Sequence, residues 1–113
     1  MKKIFLIALL SSLLLGSCTF EKSEPLPAGC TTTIYYIADI KPIIDSKCVT
    51  CHTTGASQGD FTSYAVVKAK VDNGSFKNRV FTIKDMPPGG NPQLSEPELA
   101  KLKCWMDQGA PDN

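Results

Sequence analysis

Apolar residues recur at helical spacing in three parts of the chain, and the first of these follows residue 38. A helix is predicted from Asp39, a residue type that often caps a helix N-terminus, to about residue 47. Pro42 is tolerated in the first turn, where its missing N–H has no helical partner. One face of this helix carries three isoleucines, Ile40, Ile43 and Ile44. Such a face is expected to pack against other apolar residues.

A second helix is predicted over residues 63 to 72, and Asn73-Gly74 is expected to end it. Its apolar side consists of Tyr64, Val67 and Val71. One further helical turn is predicted at residues 76 to 80. Residues 31 to 37 are mostly β-branched and aromatic but have no clear partner strand, so we expect extended chain packed on the helices.

The last helix has the clearest start and end signals. Ser95 as N-cap with Glu98 at the third helical position forms a capping-box sequence, and Gly109 is expected to end the helix. The apolar stripe consists of Leu99, Leu102 and Met106, with Trp105 at its edge. The sequence therefore predicts a small all-α fold of three to four helices.

The first 18 residues have the organisation of an export signal. Two lysines precede an apolar stretch over residues 4 to 15, which is shorter than a membrane span. The sequence Leu15-Gly16-Ser17-Cys18 resembles a bacterial lipoprotein processing site. The resemblance implies that residues 1–17 are a lipoprotein signal peptide and that Cys18 is the lipidated first residue of the mature protein. An ordinary secretory signal with a cysteine near its end is the alternative.

Lipidation at Cys18 implies an extracytoplasmic protein anchored to a bacterial membrane, because acyl chains add about 0.8 kcal/mol per buried methylene. Thr19 after this cysteine favours the outer membrane. Residues 18–30 are expected to form the lipidated N-terminus and a flexible tether, and residues 31–113 the folded domain. The formal charge of +1 over 113 residues gives no indication of nucleic-acid binding. A monomeric domain is expected.

The motif Cys48-Val49-Thr50-Cys51-His52 is the strongest chemical signal in the sequence. Two thiols three positions apart, with a histidine directly after the second, form the C-x-x-C-H pattern of covalent haem attachment. Cys48 and Cys51 can form thioethers with the two vinyl groups of haem, and His52 can bind the iron on one face. The alternatives are a redox-active cysteine pair, or half of a zinc site followed by an incidental histidine.

The opposite face of the iron needs a different ligand, because His52 is the only histidine in the chain. Met86 lies in a stretch rich in proline and glycine, and its thioether is a suitable sixth ligand. Packing into a gap in the core is the alternative role for this methionine. Met106 has the spacing of a core residue of the last helix. A lysine ligand and an open site are the remaining alternatives.

The other cysteines are candidates for a disulfide. If Cys18 carries lipid and the motif cysteines carry haem, Cys30 and Cys104 are left. Outside the cytoplasm, two such cysteines are a candidate disulfide pair. Cys104 is predicted to project away from the apolar stripe of its helix, toward a side that a segment starting at Cys30 could cover. Two unrelated buried thiols are the alternative.

Five segments, taken in order, resemble a small class I-like cytochrome c domain of the kind found in bacterial lipoproteins. They are residues 40–44, Cys48-x-x-Cys51-His52, Met86-Pro87-Pro88-Gly89, Leu94-Ser95-x-x-Glu98 and Trp105-Met106-x-x-Gly109-Ala110. The resemblance covers about residues 34 to 110. It implies a helical fold around one covalently bound haem c, with His52 as the proximal and Met86 as the distal iron ligand. Met106 departs from the family pattern, which usually has an aliphatic residue there, and the pattern requires no cysteine at position 104.

From these expectations we predict a membrane-anchored, extracytoplasmic c-type cytochrome that transfers single electrons and is not an enzyme. Its partners would be redox proteins that meet it in brief encounters. The alternative is a catalytic or sensory haem protein, peroxidase-type or gas-binding, with a displaceable distal ligand. A thiol–disulfide oxidoreductase is disfavoured, because no alternating strand–helix pattern surrounds Cys48 and Cys51.

Overall fold

The first helical segment begins earlier than the sequence predicts. In the computed structural model, which describes residues 25–26 and 28–113, a π-helical turn over Tyr36–Ile40 leads into helix α1, Lys41–Lys47. Asp39 is not the N-cap, because it lies inside this π-helical turn. Its carboxylate accepts a hydrogen bond at 3.0 Å from the backbone N–H of Tyr35, the N-cap of the turn. This contact closes a turn ahead of α1. The prediction of extended chain is therefore wrong for residues 36 and 37, whereas residues 31–35 are not helical.

The predicted signal peptide, residues 1–17, and the predicted lipidation site, Cys18, lie outside the described residues. Of the predicted tether, residues 25, 26 and 28–30 are described. The first four are exposed, whereas Cys30 is half-buried and bonded to the last helix by a disulfide, so it belongs to the folded domain. Within the part of the chain that the structure describes, no helix is both long enough and apolar enough to cross a membrane.

Three further helices follow α1. Helix α2 comprises Tyr64–Asp72, helix α3 is a single turn over Ser75–Lys77 that continues as a π-helical turn over Asn78–Thr82, and helix α4 comprises Glu96–Asp107. Gly74 joins α2 to α3 with a φ of +79°, a conformation that glycine adopts without strain. The described residues contain no β-strand, which confirms the all-α prediction of three to four helices.

One hydrophobic core joins side chains from all of these elements. Its fully buried members include Ile40, Ile44, Val67, Leu102 and Trp105. Trp105 is therefore central to the buried face of α4 and does not lie at its edge as predicted, whereas Leu99 and Met106 are only partly buried. The π-helical turn explains the difference, because Tyr36 packs on Trp105 with 5.5 Å between the ring centroids.

The segment before the first helical turn is fastened to α4. Cys30 and Cys104 form a disulfide, with their Cα atoms 5.6 Å apart. One turn further along, the Gln108 side chain accepts a hydrogen bond from the backbone N–H of Ile34 and donates one to the carbonyl of Thr32, both at 3.0 Å. These contacts fix the start of the domain against its last helix.

Candidate functional site

The Cys48–His52 motif forms a helical turn that continues from the end of α1. The N–H of Cys48 donates to the carbonyl of Ile44 at 2.9 Å. The N–H groups of Cys51 and His52 both donate to the carbonyl of Cys48, at 3.1 and 2.9 Å. Because Ile44 is fully buried in the core, the turn is held in a fixed position relative to the rest of the domain.

A cavity of about 630 Å³ lies beside this turn. Cys48, Cys51, His52 and Met86 all line it, although Met86 is far from the motif in sequence. The volume falls within the range of pockets that hold cofactors and drug-sized ligands, ~300–1,000 Å³. The structure thus brings together around one space the four residues that the sequence indicates for haem binding.

Cys48 and Cys51 are free thiols. Cys51 is exposed and Cys48 is half-buried. Burial, and to a smaller extent the neighbouring Cys51, raises the pKa of the Cys48 thiol to about 11. Because the thiolate is the attacking species in disulfide exchange, a thiol that is protonated at neutral pH is a poor nucleophile for that reaction.

The imidazole of His52 packs against a phenylalanine that the sequence analysis did not single out. The ring centroids of His52 and Phe61 are 4.2 Å apart and their planes are inclined by 15°. The N–H of Phe61 donates to the carbonyl of His52 at 2.7 Å, so the backbone also joins these residues. The Nδ1 of His52 is buried and has no hydrogen-bond partner among the described residues. A buried imidazole nitrogen without a partner is costly.

Met86 lies on the loop between the π-helical turn Asn78–Thr82 and helix α4. Its side chain is half-buried, and the following Pro87 is buried. A second cavity, of about 500 Å³, also has Met86 and Pro87 in its lining. Met86 therefore borders two cavities.

The rest of the first cavity wall comes from residues next to the motif, from the α2–α3 region and from the loop that carries Met86. Its apolar side chains include Phe61, Phe76 and Val80, and its cationic side chains are Lys47, Lys70 and Arg79. Among the described residues, no aspartate or glutamate lines it. The sequence predicted Phe76 and Val80 only as positions in a helical turn. No motif marks the cationic residues, because they meet only in the folded chain.

No three His, Cys, Asp or Glu side chains in residues 25–26 and 28–113 are grouped so that they could hold a metal ion. His52 and Met86 are a nitrogen and a sulfur donor that line the same cavity. Comparison of this chain with protein families, with curated proteins and with solved structures finds no match.

Proposed function

We propose that the protein is a c-type cytochrome that transfers single electrons outside the cytoplasm, on a cytochrome c-like fold around one covalent haem c. The observation that carries this proposal is the shared cavity, which Met86 lines together with Cys48, Cys51 and His52. A cysteine pair used for thiol chemistry has no need of a thioether from a distant loop. A haem iron that is closed on both faces needs a sixth ligand, and a methionine thioether can serve as one.

In this proposal Cys48 and Cys51 hold the haem covalently. Each thiol adds across a vinyl double bond, so that an S–H bond and a π bond break while a C–S and a C–H bond form. The addition requires no oxidant and no reductant. His52 would hold the iron as the proximal ligand, and Met86 would hold it as the distal ligand. When bound, the haem supplies an iron that cycles between the ferric and ferrous states.

The cavity walls suit a porphyrin with two carboxylate side chains. Phe61, Phe76 and Val80 offer apolar contacts, and the ammonium group of Lys70 offers positive charge. The buried Nδ1 of His52 has no hydrogen-bond partner among the described residues, so no such bond fixes the orientation of the ring. Imidazole is a common metal ligand, and binding to iron would fix that orientation. A protein ligand on each face leaves no iron position for oxygen, which favours electron transfer over oxygen chemistry.

The location in this proposal follows from the sequence. Residues 1–17 direct export and are removed, and lipidated Cys18 anchors the mature protein to the membrane, with the outer membrane favoured. The residues between Cys18 and Cys30 hold the domain away from the lipid surface. The protein then contacts its electron donors and acceptors outside the cytoplasm. Such brief encounters usually bury a small interface, below about 1,200 Å².

A sensory or catalytic haem protein is the second candidate, and one observation favours it. Met86 also lines the second cavity, of about 500 Å³, into which its side chain could withdraw. Withdrawal would open the distal face of the iron to an external ligand.

Spectroscopy of protein matured in cells that attach haem c tests the proposal. The ferric wild type is expected to show the absorption band of sulfur–iron ligation, to undergo reversible one-electron reduction, and not to bind carbon monoxide when reduced. Met86→Ala should lose the band and bind carbon monoxide, whereas the matched control Met106→Ala should keep wild-type behaviour. A wild type that binds carbon monoxide readily would support the second candidate. A wild type without haem would contradict both.

A further inference from the structure

The proline-rich loop that carries Met86 is held in place by the side chain of Gln93. Its Nε2 lies 3.2 Å from the carbonyl oxygens of both Pro87 and Pro88 and 3.0 Å from that of Asn91. Prolines have no backbone N–H, so a loop containing several of them has few backbone donors for its own carbonyls. Asn91 donates to the carbonyl of Pro88 through its backbone N–H at 3.2 Å and through its side-chain amide at 3.3 Å, which leaves the carbonyl of Pro87 dependent on Gln93. The amide of Gln93 supplies two N–H donors to this group of carbonyls.

Lys47 connects this loop to the haem-attachment motif. It is the last residue of α1 and directly precedes Cys48. Its Nζ donates to the backbone carbonyl of Gln93 at 2.8 Å and lies 3.5 Å from the carboxylate of Glu98. Glu98 in turn accepts a hydrogen bond from the backbone N–H of Ser95 at 2.7 Å. One ammonium group thus joins α1, the loop and the start of α4.

The opposite end of the loop is fixed as well. The Nε of Arg79 donates to the carboxylate of Asp85 at 2.7 Å, and the N–H of Asp85 donates to the carbonyl of Arg79 at 3.1 Å. Met86 therefore lies between two fastened points. The side chains of the Arg79–Asp85 pair are well exposed, and such pairs contribute little. The contacts of Lys47 and Gln93 are the better candidates for control of the loop.

We propose that Lys47 and Gln93 are positioning residues that keep the Met86 thioether in the first cavity, next to the C-x-x-C-H turn. This inference rests on the proposed function, since it assigns these residues a role in His/Met ligation. With both contacts in place, withdrawal of Met86 toward the second cavity is suppressed. Without them, the open arrangement gains population, and an external ligand competes more easily for the iron.

Two variants and two matched controls separate positioning from general stability. Gln93→Glu keeps the shape of the side chain but replaces the amide donor with an acceptor that faces carbonyls. Lys47→Met keeps the length of the side chain but removes the ammonium. Gln108→Glu makes the same change in an amide that fastens residues 32 and 34, away from the loop. Lys41→Met removes the other α1 lysine that forms an ion pair, with Asp45.

Titration of the ferric holoprotein with imidazole measures the population in which Met86 has left the iron. The loss of the sulfur–iron absorption band reports imidazole binding. Gln93→Glu and Lys47→Met should each bind imidazole about five- to tenfold more tightly than the wild type, the effect of losing about one net hydrogen bond. Their reduction potentials should also fall, because the ferric state tolerates loss of the thioether better. Lys47→Arg, which retains a charged donor, should restore wild-type affinity.

The controls decide between outcomes. Gln108→Glu should lower the melting temperature without changing imidazole affinity, and Lys41→Met should change neither. Loop variants that bind imidazole no more tightly than these controls would overturn the inference while leaving the proposed function intact. A wild-type protein without a sulfur–iron band would instead overturn the proposed His/Met ligation, and the positioning role with it.

Discussion

Lys101 of helix α4 forms an ion pair with Asp39 of the first helical turn, with 3.0 Å between Nζ and Oδ1. The contact joins two segments that are far apart in sequence. The other carboxylate oxygen of Asp39 accepts the hydrogen bond from the N–H of Tyr35. This N–H, and next the side chain of Lys101, lower the pKa of the Asp39 carboxyl group below its usual value.

Stability should therefore fall in acid in a way that depends on Asp39. Because the folded-state pKa is lowered, the contribution of Asp39 is fully present above the unfolded value of about 3.9 and is lost as the pH falls through the folded-state value. Urea unfolding at a series of pH values below about 5 measures this. Asp39→Asn should flatten the acid limb. Lys101→Met should flatten the acid limb less, because the N–H of Tyr35 is the larger cause of the lowered Asp39 pKa. An acid limb of Asp39→Asn equal to that of the wild type would contradict the assignment.

The Cys30–Cys104 disulfide should contribute strongly to stability, because it closes a loop with a sequence separation of 74. On the chain-entropy account, such a crosslink stabilises the folded state by about 4 kcal/mol. Cys30→Ser/Cys104→Ser should lose a large part of this in urea unfolding. Reductant should weaken the wild type and leave the double variant unchanged. Equal unfolding midpoints for wild type and variant would show that the crosslink contributes nothing.

Phe61 should stabilise the C-x-x-C-H turn through its stacking on His52. An aromatic pair is worth about 0.5–1.5 kcal/mol beyond the area that it buries. Phe61→Leu should therefore destabilise the holoprotein by at least that amount and alter the proton NMR signals of the His52 ring. Phe81→Leu is a suitable control, because Phe81 is partly buried and lines the second cavity. If both variants alter the His52 signals equally, the stacking has no specific role.

Haem should supply part of the core, so the protein without it should fold poorly. A domain of this size buries limited apolar area by itself, and the cavity of about 630 Å³ would leave Phe61, Phe76 and Val80 without contacts on one side. Cys48→Ala/Cys51→Ala, prepared without haem, should show a broad thermal transition by circular dichroism. A sharp transition at the holoprotein's melting temperature would contradict this prediction.

The sequence predicts the helices well where a pattern is local. Ser95, Glu98 and Gly109 mark the ends of α4 within a few residues, because capping depends on near neighbours. The predictions for Asp39 and Trp105 are wrong because both residues depend on how the turn over residues 35–40 packs against α4, which is distant in sequence. The turn that Asp39 closes with Tyr35 packs Tyr36 on Trp105, and no spacing within either segment reveals that contact.

The same distinction applies to the candidate site. Cys48, Cys51 and His52 form a contiguous motif whose chemistry can be read directly, and Met86 stands out as a soft donor in a proline-rich stretch. The roles of Lys47 and Gln93 depend on contacts between segments 46 residues apart, which only the folded chain brings together. Residues that position an iron-binding side chain, as proposed for Lys47 and Gln93, lack the distinctive chemistry of that side chain.

The central claim is covalent haem attachment at Cys48 and Cys51, and the mass of one peptide tests it most directly. Protein matured in cells that attach haem c would be digested with trypsin, and the peptide that begins after Lys47 would be weighed. The wild-type peptide should show a mass increase equal to one haem, and the Cys48→Ala/Cys51→Ala variant should show none. A wild-type peptide with two unmodified thiols would contradict the account.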